Sequence, residues 1–120
     1  MSFDPVAALL AYHKAIDSFD IDQVASMLAD DAVYTSGGLG TVNGKADIIL
    51  AMRRYFTGHP DHQSWDDEVM KTGPLAARSL WRLTATDRLT GAVVKRSGTE
   101  DIVFDNKGLI LSVNVVDEAI

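Results

Sequence analysis

The spacing of apolar residues changes once along this chain, near Ser64, and this change limits the possible folds more than any other feature. Before Ser64, apolar residues recur three or four positions apart, which is the spacing of one helix face. After it, β-branched and aromatic residues become more frequent and turn signals divide them into short runs, as strands require. Helices gathered first and strands last predict an α+β domain, with the helices on one face of an antiparallel sheet.

Three helices are predicted in the first half. Their spans are residues 5–18, 20–29 and 45–57. Asp4 before Pro5 is typical of a helix start, because the carboxylate accepts hydrogen bonds from free N–H groups and proline needs no N–H there. The apolar face of the first helix is expected to comprise Val6, Leu9, Leu10, His13 and Ile16. We assign Asp30 and Asp31 to the turn that ends the second helix.

The second half is predicted to be mainly sheet. A brief strand at 33–35 precedes a stretch, 36–44, that we interpret as a loop because its four glycines weaken any regular element. Longer strands are predicted at 65–72, 75–87, 92–104 and 109–116, and the last three form an antiparallel meander. Alternation along 75–87 places one set of side chains on the covered face: Leu75, Ala77, Ser79, Trp81, Leu83 and Ala85.

Length, charge and composition restrict the class of protein. At 120 residues the chain supports one core, so we interpret residues 1–120 as a single domain. A net charge of −6 argues against a nucleic-acid partner, and no apolar run is long enough to cross a membrane. The absence of cysteine excludes disulfides and thiolate metal sites. The N-terminal segment lacks the basic and apolar regions of a secretory signal, so we expect a cytoplasmic location.

Four segments of the chain carry a resemblance to a known family. They are MLADDAVY at 27–34, VNGK at 42–45, WRLTATD at 81–87 and SGTEDIVFD at 97–105. Together they resemble the SnoaL-like proteins of the nuclear transport factor 2-like superfamily, over essentially the whole chain. The resemblance implies a cone-shaped, curved antiparallel sheet of about four to six strands. Three N-terminal helices would wrap this sheet around a pocket for a small, mostly apolar ligand.

The superfamily leaves the activity open. It includes polyketide cyclases, ketosteroid isomerases, dehydratases, epoxide hydrolases and members that only bind ligands, and a shared fold does not fix the function. Relatives pair through the outer face of the sheet, so the resemblance also implies a homodimer. Val116, Leu80 and Val103 are expected to supply apolar area to that interface.

The most detailed motif match is to the ketosteroid isomerases, and it runs from Tyr12 to the ADDA segment at 29–32. It implies that Tyr12 and a protonated Glu100 donate hydrogen bonds to a developing oxyanion. Ser36 stands where that family has its carboxylate base, and a serine hydroxyl alone cannot abstract a carbon-bound proton near neutral pH. The remaining candidates for a catalytic base are His13, Glu100, Asp101 and Asp117, the last by analogy with SnoaL-like cyclases.

Each candidate also has a structural interpretation. Tyr12 would pack its ring in the core, His13 would be a hydrogen-bonded core histidine, and Asp117 would lie in solvent at a fraying strand end. Glu100 shares a strand face with apolar residues, where a carboxylate must be neutral, paired or next to a wet pocket. The basic residues considered for its salt bridge are Arg78, Arg82 and Arg96.

The remaining site predictions concern the pocket wall and metals. The expected ligand-binding residues are Trp81, Ser36, Tyr34, Met52, Phe56, Val113 and Val115, of which Trp81 matches a family pocket aromatic. His59 and His62 lie near Asp61, Asp66 and Asp67, but a proline-containing loop gives the two rings no common direction. No metal site and no cofactor are therefore predicted.

Two functions remain open from the sequence. One is a cofactor-free isomerase, dehydratase or cyclase that acts on a small apolar carbonyl compound, with Tyr12 and Glu100 binding the oxygen and Asp117 or His13 moving the proton. The other is a ligand-binding or dimerisation module of the same fold without chemistry. The missing base at Ser36 is compatible with the second.

Overall fold

Three helices precede the long strands, as the change of period predicts. The computed structural model describes residues 3–37 and 40–118. The helices are α1 (Pro5–Asp17), α2 (Ile21–Met27) and α3 (Lys45–Gly58). The strands are β1 (Leu28–Ser36), β2 (Gly40–Asn43), β3 (Gln63–Gly73), β4 (Ala76–Thr86), β5 (Val93–Phe104) and β6 (Ile110–Asp117). Within the described ranges, no helix has the length and apolar character needed to span a membrane.

The six strands form one sheet in the order β2-β1-β6-β5-β4-β3. The predicted meander of β4, β5 and β6 is confirmed, since both of its pairings are antiparallel. β1 pairs with β6 in parallel, so the sheet is mixed and mostly antiparallel rather than fully antiparallel. The chain forms β2 on one side of β1 and then forms β3, β4 and β5. It returns with β6 along the other side of β1, in the same direction as β1.

Two sequence predictions near β1 are wrong. Asp30 and Asp31 do not end the second helix, because that helix stops at Met27 and both aspartates lie within β1. The stretch 36–44 is not entirely a loop, because β2 pairs antiparallel with β1 from Asn43 to Gly40. Cross-strand hydrogen bonds thus override the weak strand preference of glycine. Residues 38 and 39 of that stretch lie outside the described part of the chain.

The buried face of α1 is rotated from the predicted one. Pro5, Leu9, Tyr12 and Ala15 are buried, whereas Leu10 is 43% exposed. Asp4 caps this helix as predicted, accepting hydrogen bonds from the backbone N–H groups of Val6 and Ala7. Because successive helix residues point about 100° apart, His13 lies beside the core-facing row rather than within it.

A glycine allows β5 and β6 to approach closely where the sheet curves. A Cβ atom built on Gly98 would lie 1.9 Å from the backbone oxygen of Val116. Gly98 also pairs with Trp81 on β4, so this approach occurs on the inner face of the sheet. Two residues further along β4 and β5, on the same face, Ser79 pairs with Glu100. The curvature therefore places the inner side chains of three strands around one space.

Candidate functional site

A cavity of about 280 Å³ lies between α1, α3 and the inner face of the sheet. This volume is close to the lower limit of ligand sites, which is roughly 300 Å³, so the cavity suits a small molecule. Most of its wall is apolar. The apolar side chains include Ile16, Ile48, Met52, Phe56, Trp81, Leu83 and Val115.

The polar part of the wall is centred on His13. Its Nδ1 donates a hydrogen bond to Oδ1 of Asp66 over 2.6 Å, and its Nε2 donates to Oε1 of Glu100 over 3.0 Å. The three side chains are between 11% and 16% exposed and all line the cavity. One imidazole therefore joins two carboxylates at the cavity surface.

Strand register explains how these groups meet. Asp66 on β3 pairs with Trp81 on β4, and Ser79 on β4 pairs with Glu100 on β5. The pairing of β3 with β4 shifts by one residue just after Asp66, as in a β-bulge, which redirects side chains locally. His13 reaches both carboxylates from α1, which packs over β3 and β4.

The charges of the cluster stabilise one another. Burial alone lowers the pKa of His13, but the negative charge of Glu100 and the hydrogen bonds to Asp66 and Glu100 outweigh it and raise that pKa to about 10. Burial also opposes ionisation of Asp66, yet its hydrogen bonds with His13 and Ser79 hold the pKa of this carboxyl below its ordinary value. At neutral pH the ring of His13 is therefore an imidazolium, hydrogen-bonded to the ionised Asp66 on one side and to Glu100 on the other.

His13 occupies only one oxygen of each carboxylate. Oδ1 of Asp66 also accepts a hydrogen bond from the hydroxyl of Ser79, which is fully buried. Within residues 3–37 and 40–118, no hydrogen bond reaches Oδ2 of Asp66 or Oε2 of Glu100. Both side chains line the cavity.

Most of the residues predicted to contact ligand line the cavity. They are Trp81, Ser36, Tyr34, Met52, Phe56 and Val115. Val113 is an exception, being 2% exposed and part of the core instead. Burial, followed by the nearby charge of Glu100, raises the pKa of the Tyr34 hydroxyl, so this group is a neutral donor at the cavity wall.

The predicted catalytic residues divide into two groups. His13 and Glu100 are together on the cavity wall. Tyr12 is 1% exposed, belongs to the core on the buried face of α1 and is not among the described residues that line the cavity. Asp117 also lies off the described wall and forms a two-point ion pair with Arg96, with both N···O distances at 2.7 Å.

None of the arginines considered as a partner of Glu100 has that role. Arg78 pairs with Asp101, Arg82 with Asp67, and Arg96 with Asp117. The position of His13 on α1 brings a cation closer to Glu100 than any arginine of the neighbouring strands.

Asp66 is the functional candidate that the sequence reasoning missed. We expected the strand to start at Trp65 and considered Asp66 only as a metal ligand. β3 begins at Gln63, and Ser64, Trp65 and Asp66 all line the cavity, although Trp65 is 40% exposed. Asp66 is the cross-strand neighbour of Trp81, which the sequence places on the covered face, and this pairing is the signal that would have identified it.

A second histidine lines the cavity near α3. Nδ1 of His62 forms a hydrogen bond of 2.8 Å with the hydroxyl of Tyr55, and burial lowers the pKa of His62, so this ring is neutral at neutral pH. His59 donates from Nδ1 to the backbone oxygen of Tyr55 over 2.9 Å. In the described ranges, no group of three or more histidine or acidic side chains is arranged to hold a metal ion.

This geometry can be compared with known families. A family model described as SnoaL-like domain matches residues 9–113. The chain belongs to the SnoaL-like domain family. The resemblance carried by the four sequence segments is thereby confirmed. Among curated proteins, none matches the sequence significantly.

Solved structures show the same SnoaL-like fold. A nuclear transport factor 2-like protein of unknown function from Exiguobacterium sp. 255-15 has a TM-score of 0.82 at 18% identity, covering 94% of this chain and 99% of its own. SalBIII, an epoxide hydrolase/cyclase-like enzyme with a role in pyran ring formation in salinomycin, has a TM-score of 0.82 at 15% identity, covering 93% and 88%. RV0760c from Mycobacterium tuberculosis, in complex with estradiol-17beta-hemisuccinate, has a TM-score of 0.80 at 15% identity, covering 92% and 91%. At such identities the likeness shows the fold alone.

Proposed function

We propose that this protein is a cofactor-free enzyme of the isomerase, dehydratase or cyclase type that acts on a small, mostly apolar carbonyl compound. The observation that carries this proposal is the imidazolium of His13 between the carboxylates of Asp66 and Glu100 on the wall of an apolar cavity. An apolar wall attracts a hydrophobic substrate, and a carboxylate beside it provides a base that water does not fully solvate.

The carboxylates supply the base that Ser36 lacks. A free oxygen of Asp66 or Glu100 takes a proton from the carbon next to the substrate carbonyl, and the bond electrons form an enolate. The resulting carboxylic acid returns its proton to another carbon in isomerisation, or to a leaving hydroxyl group in dehydration. His13 remains protonated, and its positive charge keeps the second carboxylate from repelling the enolate.

The fold relatives are compatible with this proposal. SalBIII has a role in pyran ring formation, and RV0760c was solved in complex with estradiol-17beta-hemisuccinate, whose steroid ring system is apolar. Both features agree with a cavity that is mostly apolar and has a small cluster of acid and base groups.

The proposal predicts that the protein catalyses exchange of the α-protons of a ketone and that this catalysis depends on Asp66 or Glu100. Cyclooctanone in deuterated water is expected to exchange its α-hydrogens faster with the protein than with buffer, as followed by proton NMR. Asp66→Asn or Glu100→Gln is expected to reduce the catalysed rate by about 100-fold or more, the usual contribution of one acid or base group. Asp67→Asn is the matched control, because Asp67 is exposed and pairs with Arg82.

Two outcomes would contradict this function. One is tight binding of the ketone without any catalysed exchange, which would favour a ligand-binding module. The other is exchange that survives both carboxylate substitutions, which would move the base elsewhere in the molecule.

We also propose a homodimer formed through the outer face of the sheet. Val116 and Val103 are 51% and 41% exposed, and Leu80 and Val116 lie in one row across β4, β5 and β6. Light scattering at micromolar concentration should give twice the chain mass, and Val116→Asp should shift the protein toward monomer. A wild-type monomer at that concentration removes this part of the proposal.

A further inference from the structure

One buried hydrogen-bond donor has no partner among the described residues, and it belongs to a side chain that lines the cavity. In the described residues, two buried side-chain nitrogen atoms lack a hydrogen bond, Nε1 of Trp81 and Nε2 of His62. The latter has a carboxylate acceptor nearby, since it lies 3.7 Å from Oδ1 of Asp17. No hydrogen bond or ion pair within residues 3–37 and 40–118 gives the indole N–H of Trp81 an acceptor, and the whole residue is only 7% exposed.

An unpaired indole N–H is costly in an apolar wall. The group can only donate, so it needs an acceptor, and leaving it buried without one costs on the order of 1–3 kcal/mol. A phenylalanine would fill a similar space without this cost. Unsatisfied buried donors in folded proteins therefore call for a specific explanation, and a ligand that supplies the acceptor is one.

The surroundings of Trp81 determine which acceptor fits. Trp81 is the cross-strand neighbour of Asp66, and Arg96 lies 5.7 Å from the centre of its ring. The charge of Arg96 is balanced by Asp117, and in the cluster one basic group, His13, lies between two acidic side chains, Asp66 and Glu100. The cavity therefore repels an anion, whereas an uncharged oxygen can approach the N–H group without that penalty.

We propose that Trp81 is a specificity-determining residue whose indole N–H donates a hydrogen bond to an uncharged carbonyl oxygen of the ligand. This inference deepens the proposed function and rests on it for the location of the site. Because Trp81 and Asp66 are neighbours on the inner face, a carbonyl bound at Trp81 places its α-carbon on the side of the Asp66 carboxylate. The ligand class is then neutral ketones, aldehydes, esters or lactones rather than carboxylic acids.

The test compares three probes of one ring size on two proteins. Cyclooctanone, cyclooctane and cyclooctanecarboxylate are titrated into the wild type and Trp81→Phe by isothermal calorimetry or by NMR. The ketone is expected to bind roughly five- to tenfold more weakly to Trp81→Phe, the usual effect of one neutral hydrogen bond. Cyclooctane should change by less than about twofold, because the ring that packs against it remains. Cyclooctanecarboxylate should bind the wild type more weakly than the ketone.

A second measurement does not require that Trp81→Phe folds. The chain has 2 tryptophans, so Trp65→Phe leaves Trp81 as the source of the indole N–H signal. Cyclooctanone should move that signal downfield in a proton-nitrogen NMR spectrum, and cyclooctane should not.

The inference is overturned if the ketone and the hydrocarbon lose affinity equally in Trp81→Phe, if the carboxylate binds more tightly than the ketone, or if neither neutral probe binds. Ketone binding through Trp81 without proton exchange would leave this inference intact and contradict the proposed function. Catalysed exchange in which Trp81 has no role would leave the proposed function intact and contradict this inference.

Discussion

His13 and Asp66, 53 positions apart in the chain, are joined by a hydrogen bond of 2.6 Å between Nδ1 and Oδ1. Because only the folded chain brings them together, the bond links the protonation of His13 to folding. The same imidazole bonds to Glu100 through its other nitrogen, so a single proton equilibrium controls the charge balance on the cavity wall.

The first prediction follows from this linkage. The pKa of His13 is raised from an ordinary value of 6.5 to about 10 in the folded state. Below pH 6.5 the ring is protonated in both the folded and the unfolded chain, so its full contribution to stability is present. As the pH rises toward 10, the unfolded chain loses this proton first, and the free energy of unfolding falls by about 1.4 kcal/mol per pH unit.

Urea unfolding between pH 6.5 and 9.5 measures this slope. The groups that face His13 are Asp66 on β3, Glu100 on β5 and Tyr12 next to it on α1. The pKa of Asp66 lies below its ordinary value, and burial raises the pKa of Tyr12 well above its ordinary value, so neither group titrates in this range. His13→Gln should unfold with a nearly flat pH profile. A wild-type slope equal to that of the variant would exclude the linkage.

The second prediction concerns the partner of this bond. In Asp66→Asn the imidazolium loses one opposite charge, and the pKa of His13 should fall by roughly one to three units. Proton NMR titration of the three histidine rings measures it, with His13→Gln assigning the signal. Asp67→Asn should leave the pKa of His13 near 10, because Asp67 pairs with Arg82 instead. A value near 10 in Asp66→Asn would refute the assigned role of Asp66.

The fold could be predicted from the sequence because its signals are local. The spacing of apolar residues identifies α1 and α3, and the Asp4 cap fixes the start of α1. The position of β2 could not be predicted, because its glycine-rich sequence forms a strand only when β1 supplies the hydrogen bonds. The parallel contact of β1 with β6 depends equally on distant parts of the chain.

The site was only half predictable for the same reason. Glu100 and His13 attracted notice as polar residues in apolar patterns. Their contact with Asp66 depends on how β3 pairs with β4 and on the register shift just after Asp66, and the local sequence predicts neither. Tyr12 lies in the core, which was one of its two interpretations, whereas its neighbour His13, about 100° further around the helix, lines the cavity.

The third prediction tests Ser79 as a positioning residue. Its buried hydroxyl donates to Oδ1 of Asp66, the oxygen that His13 also uses, and no described residue donates a hydrogen bond to Oδ2. Ser79→Ala should cost about 1 kcal/mol of stability and raise the pKa of Asp66, whose carboxylate loses one donor. Carbon-13 NMR titration of the Asp66 carboxyl distinguishes this from a merely structural effect. Ser26→Ala on the exposed side of α2 is the control, and an equal shift in both variants would argue against positioning.

The fourth prediction separates Asp117 from the cavity carboxylates, Asp66 and Glu100, as candidates for the catalytic base. Asp117 is held by Arg96 in an ion pair whose side chains are 39% and 30% exposed, so Asp117→Asn should change stability by less than about 1 kcal/mol and in a salt-dependent way. Cyclooctanone exchange should stay within about threefold of the wild type, well short of the loss expected for a catalytic base. A large loss of exchange in Asp117→Asn, with Asp66→Asn unaffected, would return the base to the last strand.

The fifth prediction concerns the curvature that brings the cluster together. Gly98 allows the backbone of β6 to pass where an alanine Cβ would stand 1.9 Å from the Val116 oxygen, and backbone cannot yield as a flexible side chain does. Gly98→Ala should therefore destabilise the protein by roughly 3 kcal/mol or more. Gly58→Ala is the matched control, because an added Cβ there meets no atom within 4 Å and the residue lies at the end of a helix. Chemical denaturation compares the two, and equal stability would show that β5 and β6 separate freely at this point. In a folded Gly98→Ala protein, the pKa of His13 then measures whether the cluster needs this curvature. If β5 moves together with β6, Glu100 moves away from His13 and the pKa of His13 falls.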